Sequence, residues 1–139
     1  MKLSIVTTLH QSSEYIEEFY NRITKEANNI TNNYEVIFVD DGSPDDSLQK
    51  AISLYEKDKK VRILELSRNF GHHKAIMIGL SYAKGDFVFL IDVDLEEEPE
   101  LLSEFWRELQ KNENLDVVYG VQKFRKGSFF ERASGSIFY

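Results

Sequence analysis

The chain has 139 residues, a formal net charge of −7 and no cysteine. That length holds one domain with a real core and is too short for two comfortable ones. The acidic balance disfavours non-specific binding to nucleic acid or to an anionic membrane, and the missing cysteines exclude disulfides, thiolate metal sites and Cys nucleophiles. In chain order, "LSIVTTL" (3–9) reads as a first strand. Residues 12–30 predict a helix, because Ile16, Phe19, Tyr20, Ile23, Ala27 and Ile30 recur at helical spacing. Ser12 or Ser13 would cap it, and Glu14, Glu17 and Glu18 suit the positive end of its dipole. "YEVIFVD" (34–40) is a second strand. The next helix opens with Ser43 as N-cap, Pro44 at the first helical position and Asp46 three on from the cap; its buried stripe is Leu48, Ile52 and Tyr55. "VRILELS" (61–67) is a third strand, and "GHHKAIMIGLSYAKG" (71–85) a helix apolar on most faces, hence well buried, with Gly85 as its stop. "DFVFLID" (86–92) is a fourth strand whose apolar core does not alternate, as in a parallel strand covered on both faces. Pro99 starts a helix that runs to about Gln110 and buries Leu102, Phe105, Trp106 and Leu109. "LDVVYGV" (115–121) is a fifth strand, and "KGSFFERASGSIFY" reads as helix.

Strands alternating with helices mean parallel βαβ units with right-handed crossovers and helices on both faces. The expected architecture is one α/β domain over residues 1–139, with a ligand at the carboxyl ends of the strands. The N-terminus carries no cleavable signal pattern, and no run approaches the roughly 18 apolar residues of a membrane span. The expected location is the cytoplasm. The abrupt end at "SGSIFY", without a polar tail, suggests a piece of something longer.

The strand ends gather polar groups on one rim. Asp92 and Asp94 follow the fourth strand, where residues i and i+2 of an extended chain point the same way, about 6.5–7 Å apart at Cα. Two hard oxygen donors suit Mg²⁺ or Mn²⁺, with water and substrate phosphates completing the shell. Placed at the buried end of an apolar strand, Asp92 is hard to explain as a mere helix-start carboxylate, a role that fits Glu96, Glu97 and Glu98 ahead of Pro99. Of Asp40 and Asp41 after strand two, one would accept from a base N–H or ribose hydroxyl, and the other would close a turn in which Gly42 supplies positive φ. Arg68 or Lys74 could grip a diphosphate or sugar at the third junction. His72 and His73 read as an exposed first helical turn; adjacent residues point about 100° apart and do not chelate one cation together. His10 stands alone. Lys123, Arg125 and Lys126 are either a solvated turn or a phosphate clamp. No P-loop, dinucleotide-binding glycine fingerprint or nucleophile elbow is present.

Four segments in order, "YEVIFVDDGSPDDSL", "LSRNFGHHKAIMIGLSYAKGD", "FLIDVDLEEEPE" and "DVVYGVQKFRKGS", resemble family 2 glycosyltransferases of GT-A fold, and within them the polyprenyl-phosphate branch. The resemblance runs from about Leu3 to Tyr139. It implies inverting transfer of a sugar from a nucleoside diphosphate, UDP- or GDP-linked, to a polyprenyl phosphate or glycan, with Mg²⁺ or Mn²⁺ as cofactor. It assigns Asp40 or Asp41 to the base, Asp92 and Asp94 to the ribose and metal, and Arg125 with Lys123 or Lys126 to phosphate; with the rim residues read above, the expected donor-binding set is Thr7, Leu9, Asp40, Asp41, Arg68, Asn69, Lys74, Asp92, Val93 and Arg125. It also places the general base and acceptor half beyond Tyr139, and the full-length protein at the cytoplasmic face of a membrane. The chain departs from the family pattern at strand one, where Thr7-Thr8-Leu9-His10 replaces Pro-Val-Tyr-Asn, and at Glu96, where Gln is usual. Phe129, Phe130, Ile137, Phe138 and Tyr139 would form an exposed segment able to pair with a second copy.

Three other functions compete. A GT-A-like nucleotidyltransferase would carry a Gly-rich basic segment after strand one, but "TTLHQSSEYIEEF" has no Gly, Lys or Arg. A receiver-type signalling module needs an acidic pair there, where only His10 stands. A nucleotide-sugar-binding piece that turns over nothing fits the 139 residues as they are.

Overall fold

The structure is a computed structural model and describes residues 1–122 and 130–135. It comprises two compact units, Met1–Glu100 and Leu101–Tyr139. In the first, β1 (Leu3–Leu9), β2 (Tyr34–Asp40), β3 (Val61–Glu65) and β4 (Phe87–Leu90) form a parallel sheet in the order β3-β2-β1-β4. Register is continuous across it: Ile5 pairs with Val36 and Phe89, and Phe38 with Ile63. Strands β1 and β2 carry the core, because both of their faces are covered. Every residue of β2 is buried.

Helix α1 (Ile16–Ile30) buries Ile16, Phe19, Ile23 and Ala27, one face at helical spacing. Phe19 meets Phe38 edge-on at 6.2 Å between ring centroids, so α1 covers the Phe38 side of the sheet. Burying such a ring stabilises the fold by about 2–3 kcal/mol. Helix α3 (His72–Tyr82) covers the opposite side, where Ala75 packs with Val6, Ile37 and Val39. Helix α2 is Ser47–Lys57.

Both N-caps expected for α1 and α2 are corrected. Helix α1 starts at Ile16, not Ser12, because the serines tie loops together instead. Ser12 Oγ donates to His10 O (3.2 Å), and Ser13 Oγ hydrogen-bonds Asp46. Helix α2 starts at Ser47, four residues after Ser43. Asp45 Oδ1 accepts from Ser47 N (3.1 Å) and Ser43 Oγ (2.5 Å), so Asp45 organises the entry rather than Ser43 or Asp46. Its buried face is Ser47 and Ala51; Ile52 and Tyr55 are exposed, contrary to the expected stripe. Helix α3 is also less buried than its composition suggests. Ala75 and Gly79 face the sheet, while Met77 and Tyr82 face outward. It ends three residues before Gly85, which is small for another reason: a Cβ there would lie 2.6 Å from Ser4 N.

β4 is shorter than expected and alternates. Phe89 is buried, whereas Val88 and Leu90 are 45% and 43% exposed, because α3 packs over β1 and β2 and not over β4.

The second unit holds α4 (Leu101–Gln110), β5 (Val117–Gln122) and β6 (Phe130–Gly135). Leu101 and Leu102 are buried on α4, while Phe105, Trp106 and Leu109 are half-buried. β5 is not a fifth parallel strand. It pairs antiparallel with β6, from Val117 opposite Gly135 to Gln122 opposite Phe130. The segment expected to be helical is therefore a strand over Phe130–Gly135; cross-strand pairing with an apolar partner overrides a weak local preference, and Ser134 and Gly135 favour no helix. Phe129, Ile137, Phe138 and Tyr139 lie outside the described residues. Among the described residues no helix is long and apolar enough to cross a membrane.

Candidate functional site

Strand alternation sorts the end of β1. Thr7 and Leu9 are fully buried in the core, and Thr7 Oγ1 has no hydrogen-bond partner. Their neighbours point the other way. Thr8, His10 and Ser12 line a pocket of about 170 Å³ together with His72, Asp92, Val93 and Asp94. The pocket therefore lies where β1, the start of α3 and the turn after β4 meet.

Asp92 and Asp94 reach it by a turn, not by strand geometry. β4 ends at Leu90, and Ile91 N donates to Val6 O (3.2 Å) as the last tie to the sheet. Asp94 Oδ1 then accepts from Glu96 N (3.0 Å), and Leu95 takes φ of 64°, a left-handed conformation costly for Leu. Asp92 is half-exposed rather than at a buried strand end. Val93, between the two, is buried. The turn concentrates negative charge: burial pushes the Glu97 carboxyl up, and Asp92, Asp94 and Glu96 push it further. Among the described residues no group of three or more His, Cys, Asp or Glu is placed to hold a metal alone. Two carboxylate-bearing residues on one exposed turn fit a hard divalent cation whose other ligands come from water and a bound phosphate.

The two aspartates after β2 separate by partner. Both are buried. Asp41 Oδ1 accepts from Phe70 N (2.8 Å), tying the β2 end to the loop after β3. Asp40 takes the Ser43 N–H, but its Oδ1 is buried without a partner. Burial pushes the Asp40 carboxyl up, Ser43 N–H pulls it down, and Glu65, Asp45 and Asp41 raise it again. Gly42 has φ of 63°, and a Cβ there would lie 2.5 Å from Asn69 N.

In the loop after β3, the Arg68 guanidinium stacks over the Phe70 ring at 4.1 Å. Asn69 Oδ1 accepts from Gly71 N (2.9 Å), and Asn69 Nδ2 reaches His10 Nδ1 at 3.5 Å. Lys74 is exposed on α3 and is not among the pocket's lining residues. His72 is more than an exposed first turn: Nδ1 lies 3.1 Å from Thr8 Oγ1, and Nε2 lies 3.5 Å from Asp92 Oδ1. Thr8, His10, Ser12 and His72 are the lining residues that the sequence did not assign to the site. The i, i+2 rule applied to β1 would have exchanged Thr7 and Leu9 for Thr8 and His10. The sequence places His72 at the third strand–helix junction, but no local pattern pairs its ring with Thr8 or Asp92. Lys123, Arg125 and Lys126 lie outside the described residues.

Known proteins carry the same pattern. The model of the family "Glycosyl transferase family 2" matches residues 4–138. A Mycobacterium tuberculosis (strain CDC 1551 / Oshkosh) protein named among the glycosyltransferases is 52% identical over 139 residues, covering 100% of this chain and 40% of its own length. The undecaprenyl-phosphate 4-deoxy-4-formamido-L-arabinose transferase of Salmonella choleraesuis (strain SC-B67) is 33% identical over 138 residues, covering 98% of this chain and 41% of its own. Among solved structures, Staphylococcus aureus TarS 1–349 in complex with UDP superposes with a TM-score of 0.65 at 26% identity, over 81% of this chain and 33% of that one. The chain thus spans about two-fifths of the length of the curated relatives it matches.

Proposed function

The chain belongs to glycosyl transferase family 2, and from that premise we propose that it is the donor-binding domain of an inverting glycosyltransferase that takes its sugar from a nucleoside diphosphate. The observation that carries this reading is the pocket in which Asp92 and Asp94 meet the end of β1. A UDP-linked donor is the first choice, because the solved relative TarS is complexed with UDP. Asp40 Oδ1, buried without a partner, would accept a base N–H or ribose hydroxyl, which removes the cost of leaving it unpaired. Arg68 and Asn69 stand at the neighbouring loop and would orient the nucleoside, and Arg125 would meet phosphate.

Asp92 and Asp94 would hold Mg²⁺ or Mn²⁺ jointly with the donor, and a cation held there would supply positive charge to offset that of a departing diphosphate. The Val93 side chain, buried between them, fixes the turn that presents both carboxylates. For the whole protein we propose a polyprenyl phosphate acceptor at the cytoplasmic face of a membrane, since the Salmonella relative is named for undecaprenyl phosphate. An anionic phosphate acceptor is already a nucleophile and needs no base to take its proton. A second reading rests on length: residues 1–139 bind the donor, and the transfer itself needs the rest of a chain as long as those relatives.

The test is titration of the Asp94→Asn variant with the nucleoside diphosphate in Mn²⁺. The reading predicts loss of the metal-dependent part of the affinity. Affinity equal to that of the unmodified chain would remove Asp94 from the role given to it.

A further inference from the structure

Building on the donor site proposed above, we propose that His72, itself fixed by Thr8, is a positioning residue that sets the Asp92 carboxylate for the nucleoside diphosphate. His72 is the first residue of α3, and its ring bridges two strand ends. Nδ1 is 3.1 Å from Thr8 Oγ1 and Nε2 is 3.5 Å from Asp92 Oδ1. A carboxylate only accepts, so the ring presents N–H at Nε2. In the neutral ring Nδ1 is then the acceptor, and the Thr8 hydroxyl donates to it. The Thr8 hydroxyl, which can donate or accept, complements that tautomer and holds the ring, and the tautomer faces Asp92 with a donor.

The direction of the relay follows from what else touches its members. Among the described residues, the Asp92 carboxylate meets the His72 ring and no other side chain. The backbone N–H of Asp92 is given to Glu97, so the turn fixes the main chain but leaves the carboxylate free to rotate. The His72 ring is what biases that rotation, with Nε2 3.5 Å from Oδ1 of a residue that lines the pocket. The present 3.5 Å is longer than a good hydrogen bond. Such contacts tighten when the ligand arrives. Partners that orient a ligating carboxylate commonly change affinity by about 10- to 100-fold when removed. His73 is the neighbouring comparison: its ring centroid lies 5.9 Å from that of His72, but its side chain projects about 100° around the helix and no hydrogen bond joins it to Thr8 or Asp92 among the described residues.

The experiment is calorimetric titration of the full chain with UDP and then GDP, in Mn²⁺ and in EDTA. It compares the unmodified chain with Thr8→Val, His72→Leu, His72→Gln, His73→Ala and Asp92→Asn, with melting temperatures recorded for each. The relay predicts that Thr8→Val and His72→Leu each lose about 10-fold or more in Mn²⁺. A variant that combines Thr8→Val with His72→Leu should lose little beyond the worse single one. His72→Gln, which keeps an N–H toward Asp92, should recover part of the loss, and His73→Ala should stay unchanged. A purely structural role would lower the melting temperatures and would not be rescued by Gln. If Asp92→Asn weakens binding while His72→Leu does not, His72 has no such role and the donor site stands. A loss in His72→Leu with none in Thr8→Val overturns the relay. An unmodified chain that binds neither nucleotide overturns the donor site and this inference with it.

Discussion

Asp40, Asp41 and Gly42 show how three adjacent residues divide one task. Gly42 could be read from sequence, because a tight strand-to-helix turn needs positive φ, and its φ is 63°. The division of labour between the aspartates could not be read. It depends on Phe70, 29 residues away, whose N–H takes the Asp41 carboxylate and leaves Asp40 Oδ1 alone. Gly42 carries a second constraint that also comes from the β3 loop. A Cβ would meet Asn69 N at 2.5 Å and Arg68 C at 2.7 Å, both backbone atoms that cannot step aside cheaply. Gly42→Ala should therefore lower stability by roughly 2–4 kcal/mol, combining left-handed strain with overpacking. Urea denaturation checks this, and a loss under 1 kcal/mol would mean that the loop relaxes. Asp92 and Asp94 were legible as a pair and wrong in their geometry, since a turn with Leu95 at φ of 64° delivers them rather than an extended strand.

Among the elements, α1 was legible because it buries one periodic face, and β1 and β2 because short apolar runs covered on both faces are continuous. α3 was harder. Its composition is apolar nearly all round, yet only its Ala75–Gly79 face is buried. What fixes that face is distance of approach: a Cβ at Gly79 would lie 2.6 Å from Val6 Cγ1 and 2.9 Å from Val39 Cγ2. Helix propensity favours Gly79→Ala by about 1 kcal/mol, whereas overpacking a tight core costs about 1–3 kcal/mol. The second effect wins, and the variant should be less stable by about 1–2 kcal/mol in a chemical denaturation series. A more stable variant would show that α3 can lift off the sheet freely. β5 and β6 were the least legible elements. Their pairing is long-range, and no local pattern in "KGSFFERASGSIFY" announces a strand partner. The exposed side chains of β4 have a similar cause: which strands α3 covers is decided by topology, not by apolar content.

Across the whole molecule, the two ends of the parallel sheet do different work. The carboxyl end gathers the pocket. The opposite end is locked by Glu35, a buried carboxylate that accepts from Ser4 Oγ (2.6 Å), Arg62 Nη1 (2.8 Å) and Lys84 N (2.9 Å), with Lys2 Nζ at 3.6 Å. Burial alone would raise its pKa, but Ser4, Lys84 N–H, Arg62 and Lys2 outweigh it and hold the carboxyl at about 2 against an ordinary 4.5. A depressed folded-state pKa means the unfolded chain takes up the proton first. The contribution of Glu35 is thus present in full above about pH 4.5 and is lost as pH falls toward about 2. Denaturation midpoints measured across that window should fall more steeply for the unmodified chain than for Glu35→Gln. At neutral pH that variant should be less stable by about 2 kcal/mol, because Arg62 and Lys2 lose their charged partner and Arg62 keeps only the Tyr82 carbonyl among the described residues. Parallel slopes would assign acid sensitivity to other carboxylates. The general α/β plan, its parallel sheet and the family itself were legible, since four motifs in order survive any error in element boundaries. Sugar and acceptor were not, because residues 1–139 match only about two-fifths of each curated relative.

The central claim is that the rim at Thr8, His72, Asp92 and Asp94 is a nucleotide-sugar site. The most direct measurement is calorimetric titration of the unmodified chain with UDP and with GDP, each in Mn²⁺ and in EDTA. The account predicts saturable binding of one nucleotide, UDP before GDP, that disappears in EDTA. Absence of binding by both nucleotides in Mn²⁺ would contradict it.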